Sequence, residues 1–223
     1  MHSIEENTVK AENQVQENEN IFFLGNREGK IRIAVLGNSI TLHGPSPEIG
    51  WFGLHGMAAS SEDKDYVHLL GGSLKRAGLD YCLMVNQIAE WERTFAQFDL
   101  AKLNPIRDFS ANIILFRCGE NVDGRCEKKQ FYDCLRQMTE FIAPKDAALV
   151  FTTCFWKNPV VDECIREFSV SKGGKLIELG DLGDDASMKA GGLFSHSGVA
   201  AHPGDRGMRV IADRIYETVR SCL

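Results

Sequence analysis

Residues 31–37 read IRIAVLG, and the chain continues Asn38-Ser39-Ile40-Thr41. A short, nearly continuous apolar run ending on glycine is what a strand buried on both faces requires, since neither face meets solvent. Four comparable runs follow: YCLMV (81–85), NIILFRCG (112–119), AALVFTT (147–153) and KLIEL (175–179). Between them lie stretches with apolar residues at helical spacing. Tyr66, Leu69, Leu70 and Leu74 share a face within 62–77, and Phe131, Leu135, Met138 and Ile142 do so within 127–142. A third helix is expected over 160–171, and a last one, with Met208, Ile211, Ile215 and Val219, from 205 to the end. Strands alternating with helices imply a mainly parallel sheet covered on both faces. The expectation is an α/β protein: a three-layer α/β/α sandwich around five mainly parallel strands, forming one domain over 21–223.

The rest of the chain is consistent with that single domain. At 223 residues it can bury a sizeable core without disulfides or a structural metal. Residues 1–20 are polar, glutamate-rich and without aromatics, and are expected to form a tail. The 25 Lys and Arg against 31 Asp and Glu give a net charge of −6, the wrong balance for gripping phosphates, so no nucleic-acid partner is expected. No apolar run approaches the roughly 20 residues needed to span a bilayer, so no membrane partner is expected either. The seven cysteines show no C-x-x-C pair, and several sit in apolar stretches such as LFRC and TTCF, as reduced, buried thiols would. With no signal-like start, a cytoplasmic location is the expectation, a secreted or periplasmic one following only if a signal was removed. Neither G-x-G-x-x-G nor G-x-x-x-x-G-K-[ST] occurs, no metal-ligand motif appears, and no cofactor is expected.

In such folds ligands bind beyond the carboxyl ends of the strands, so the residues that follow each apolar run carry the chemistry. After the first strand comes Gly37-Asn38-Ser39, where a serine on a tight turn can expose its hydroxyl as a nucleophile, with a following helix N-terminus offering N–H groups. After the third comes Gly119-Glu120-Asn121, whose Asn amide can donate to a developing oxyanion or simply close a turn. Near the end, His202 stands in a Pro/Gly loop just before the last amphipathic helix. His43 and Trp51, in the segment after Ser39, are candidates to line a substrate pocket with Asn38.

Taken in order, these blocks resemble the SGNH/GDSL hydrolase superfamily. GNSIT is similar to its nucleophile block, GDSIT or GDSLS; GEN is similar to its G-x-N block; HPGDRGM is similar to its histidine block. The resemblance spans roughly 31–220 and implies a flavodoxin-like sandwich with Ser39 as nucleophile, His202 as base and Asn121 as an oxyanion donor. Three departures stand out. Asn38 replaces the usual Asp before the serine. The second block, Asn86-Gln87-Ile88-Ala89-Glu90-Trp91, lacks its usual Gly, leaving the N–H of Ala89 or a neighbour to join that of Ser39 in the oxyanion hole. Val199 occupies the position of the triad acid, three residues before the histidine. Glu120 is the first replacement to consider, and the loop bearing Asp181, Asp184 and Asp185 the second. A backbone carbonyl on the imidazole, leaving a Ser-His dyad, is the third. The resemblance implies a carboxylic ester hydrolase that removes a small acyl group, often acetyl, from a small-molecule ester such as an acylated carbohydrate. The other reading is an impaired or inactive ligand-binding module on the same fold.

Overall fold

The computed structural model describes residues 20–223, and the expected tail, Asn20 apart, lies outside the described residues. Six strands form one sheet: β1 (Ile21–Gly25), β2 (Ile31–Gly37), β3 (Tyr81–Gln87), β4 (Ile113–Arg117), β5 (Ala148–Thr152) and β6 (Lys175–Ile177). Their spatial order is β1-β3-β2-β4-β5-β6, and all neighbours pair in parallel except β1 and β3. The helices are α1 (Tyr66–Arg76), α2 (Ala89–Thr94), α3 (Asn104–Phe109), α4 (Lys128–Ile142), α5 (Pro159–Ser171), α6 (Gly180–Asp184), α7 (Ser197–Ala200) and α8 (Asp205–Arg220). Among the described residues no helix is long and apolar enough to cross a membrane.

The five expected strands are present, and the sheet has a sixth. Residues 26–30 turn the chain back between β1 and β2, so β1 must run opposite to the rest, and it docks on the outer edge of β3. Asn26 fixes this return, with its N–H on the Tyr81 carbonyl at 2.8 Å and its side-chain amide on Asp80 at 2.9 Å.

The continuous apolar runs are explained by what each face meets. In β2, Ala34 and Leu36 face one core layer, while Ile33 and Val35 face the other. In β4, Ile114 and Phe116 divide from Ile113 and Leu115 in the same way. The first layer is closed by α3, α4 and α5, whose Phe109, Phe131, Leu135, Ile165 and Phe168 are buried there; the second is closed by α1 and α8. The sheet order reverses at β2: the chain leaves it outward to β3, then crosses back to β4. That switch point opens a crevice at the carboxyl ends of β2 and β4, where Ser39 and Asn121 follow their strands.

Within the first layer Phe151 stacks on Phe116 at 4.8 Å and meets Phe168 edge-on at 5.6 Å. Truncating it leaves a cavity between strand and helix that neither backbone can close. Phe151→Ala should therefore lose about 3–5 kcal/mol of stability in urea denaturation. Val170→Ala, at a site 80% exposed on α5, should stay within about 0.5 kcal/mol of the parent.

Candidate active site

The turn bearing Ser39 is wound around Asn38. Its carbonyl accepts from the N–H groups of Thr41 (2.8 Å) and Leu42 (3.0 Å), and its side-chain oxygen accepts from Ile40 N–H at 3.3 Å. The turn closes so tightly at Gly37 that a Cβ there would lie 1.8 Å from Thr41 Oγ1. The sequence reading placed a helix after Ser39. The chain instead makes this turn and a long loop, and α1 begins only at Tyr66. The loop supports Ser39 directly, since Met57 N–H donates to its carbonyl at 2.8 Å.

The hydroxyl of Ser39 lies 2.8 Å from Nε2 of His202. The other ring nitrogen, Nδ1, is 2.7 Å from the carbonyl of Gly198, one turn earlier in α7. A carbonyl can only accept, so Nδ1 carries the proton and Nε2 presents a lone pair to the serine O–H. The ring is further held by Trp156, which meets it edge-on at 4.8 Å and donates from its indole N–H to the Ala201 carbonyl at 3.1 Å. Burial, with Arg117 and His43 nearby, drives the His202 pKa down to about 4 despite the Gly198 bond, so the imidazole is neutral at pH 7.

Among the described residues no carboxylate hydrogen-bonds the imidazole. Val199 is buried against Trp51, Met57, Ala58 and Ala190, so the usual acid position is part of a small apolar core. Glu120, the first replacement considered, is committed elsewhere. It forms an ion pair with fully buried Arg117, and it accepts from Asn38 Nδ2 at 2.6 Å and from Phe155 N–H at 2.8 Å. The second choice also falls: Asp181 pairs with Arg214, Asp184 with Lys157, and Asp185 caps Ser187 N–H. The orienting group is the backbone carbonyl of Gly198.

The N–H groups that the sequence reading expects at an oxyanion are placed as follows. The Ser39 N–H makes no hydrogen bond among the described residues. The Asn121 amide is held by Glu92 and Arg93 of α2, its nitrogen donating to Glu92 and its oxygen accepting from Arg93 at 3.3 Å. The Ala89 N–H is not available in this way, because the Gln87 side-chain oxygen accepts it at 2.8 Å. Of the residues expected to face substrate, Asn38 is fully buried in the polar network and Trp51 is 3% exposed, packed edge-on to His55 with its N–H on the His43 carbonyl. Only His43 is partly exposed, its Nδ1 turned to the Gly44 carbonyl at 2.6 Å. Among the described residues no cluster of three His, Cys, Asp or Glu side chains is arranged to hold a metal.

Sequence reasoning missed Arg117, Glu92 and Trp156. Arg117 lies within the apolar run NIILFRCG, where a lone Arg beside a strand end needs a buried anion. Trp156 follows the fourth of the expected strands, a strand end whose residues were left without a role.

No protein-family model matches the chain, and no curated protein matches it by sequence. Solved structures do match by shape. The esterase EstA from Pseudoalteromonas sp., in a structure inhibited by monoethylphosphonate, aligns with a TM-score of 0.56 at 12% identity, covering 85% of this chain and 97% of that one. A member of the lipolytic protein G-D-S-L family from Veillonella parvula aligns at 0.56 and 14%, covering 85% and 98%. An acetyl xylan esterase, AlAXEase, aligns at 0.54 and 15%, covering 85% and 100%. The chain has the SGNH/GDSL fold over most of its length, with six strands rather than the five expected.

Removing the charge of Glu120 leaves Arg117 buried with a weaker partner. Glu120→Gln should therefore lower stability by about 3–5 kcal/mol. Because Glu120 does not touch His202, the folded fraction at low temperature should turn over p-nitrophenyl acetate within about tenfold of the parent, against the roughly 10⁴-fold loss expected on removing a true triad acid.

Proposed function

We propose that this protein is a serine ester hydrolase that removes a small acyl group, acetyl foremost, from an acylated carbohydrate. The observation that carries the reading is the Ser39–His202–Gly198 relay: a nucleophile, a neutral base and a fixed tautomer in one line. The Ser39 O–H passes its proton to Nε2 as Oγ attacks the acyl carbonyl carbon, and the carbonyl electron pair moves onto oxygen. That oxyanion meets the Ser39 N–H and the Asn121 amide N–H that Glu92 leaves unused. On collapse, His202 returns the proton to the departing sugar oxygen. A water then repeats the sequence on the acyl-enzyme and frees Ser39.

The carbohydrate part rests on the shared fold. Solved structures that share the fold include the acetyl xylan esterase and a family two carbohydrate esterase from Cellvibrio japonicus.

The reading is tested with a fluorophosphonate followed by intact-mass measurement. One adduct is expected, absent from Ser39→Ala; no adduct, or one that persists in that variant, favours a ligand-binding module instead. The pH profile gives an independent check. His202 must be neutral to take the serine proton, and its pKa lies at about 4, so protonation begins to matter only as pH falls toward that value. The acid limb of kcat/KM should therefore be centred near pH 4–5, about two units below that of an ordinary histidine. A limb centred near pH 6.5–7 would contradict the buried, carbonyl-held imidazole.

A further inference from the structure

Glu92 lies fully buried on α2 and takes no part in the proton transfers described above. Three donors converge on its carboxylate. Oε1 accepts from the Gly119 main-chain N–H and from Asn38 Nδ2 at 3.0 Å, and Oε2 accepts from Asn121 Nδ2. Two of these donors belong to the segment carrying the oxyanion amide, and the third to the nucleophile turn. The next residue, Arg93, holds the opposite end of the same Asn121 amide. Consecutive residues of one short helix thus fix which way that amide faces.

We propose that Glu92 is a positioning residue for catalysis: its ionised carboxylate clamps the Asn121 amide and the Gly119 main chain, and ties both to the turn that carries Ser39. The inference rests on Asn121 acting as an oxyanion donor. Donor counting supports the ionised form, because all three partners are N–H groups and a carboxylic O–H would find no acceptor among them. Burial and the neighbouring Glu120 push the Glu92 pKa upward, and the three hydrogen bonds oppose them. The same counting says that glutamine cannot substitute. Whichever way its amide turned, its NH₂ would face either Asn121 Nδ2 or the Gly119 and Asn38 donors.

The test is a double-mutant cycle on p-nitrophenyl acetate, with folding monitored by circular dichroism. Glu92→Gln should lower kcat by about 10–100-fold with KM within about threefold, since the clamp acts in the transition state. Arg93→Gln, at an exposed position, should lower kcat by roughly 3–10-fold in the same manner. Neither substitution should slow Asn121→Ala by its full factor, because both act chiefly through that amide. Losses that multiply, a change confined to KM, or wild-type kcat in both variants would overturn the role of Glu92 while leaving the oxyanion assignment standing. If Asn121→Ala itself keeps wild-type kcat, the oxyanion assignment fails and the Glu92 role fails with it. Should Glu92→Gln not fold, Glu92→Asp, which keeps the charge but draws the carboxylate back by one methylene, is read in the same cycle.

Discussion

At the base of the site a guanidinium with no solvent exposure, that of Arg117, stands among two glutamates and an asparagine. It donates to Asn38 Oδ1 at 2.8 Å and pairs with Glu120, while Asn38 in turn donates to both Glu120 and Glu92. An isolated buried cation of this kind would be prohibitively expensive, and so would two adjacent buried carboxylates; together, hydrogen-bonded through one neutral amide, they are tolerable. Burial alone would push the Arg117 proton off, but the neighbouring Glu120, Tyr66 and Glu92 more than reverse that, and the guanidinium stays charged. The nucleophile turn, the segment 119–121 and α2 are joined through this cluster.

The cluster also accounts for the asparagine before the serine. Asn38 both accepts from Arg117 and donates to two carboxylates, which only an amide can do. An aspartate there would face Glu92 and Glu120 with no proton to offer and one guanidinium to offset three charges. The missing triad acid has a comparable explanation. Its position lies in an apolar cluster under the loop bearing Trp51, and the carbonyl of Gly198 has taken over the tautomer control. A carbonyl dipole stabilises an imidazolium less than a carboxylate does, so on the proposed mechanism the dyad gives up some transition-state stabilisation. The same burial keeps the base unprotonated well into the acid range.

How much of this was legible in the sequence depends on whether a residue's partners are local. The five parallel strands were readable because burial on both faces writes a continuous apolar run into each. The edge strand β1 was not, because Phe22, Phe23 and Leu24 are only partly covered at the sheet edge. Ser39, Asn121 and His202 stood out because each follows a strand or precedes a helix in a loop. Glu120 was misjudged for the same reason that it was noticed. A carboxylate beside a strand end can turn to the imidazole or to the core, and only the position of Arg117 three residues earlier decides it. Ala89 was a plausible donor until the Gln87 side chain was seen to take its N–H.

Helix α2 shows why such residues escape a sequence reading. Six residues are too few to be helical on their own propensity, since nucleation alone is unfavourable. The helix exists because Trp91 is buried against Phe95 and Phe131 of the first core layer. Glu92 is the next residue, and the turn that drives Trp91 into the core necessarily carries Glu92 toward the ends of β2 and β4. The orientation of the Asn121 amide is thereby set by aromatic packing against α4 as much as by hydrogen bonding. On the proposed mechanism, core substitutions around Phe131 would reach Asn121 through that one turn, although none of those side chains would touch the reacting atoms.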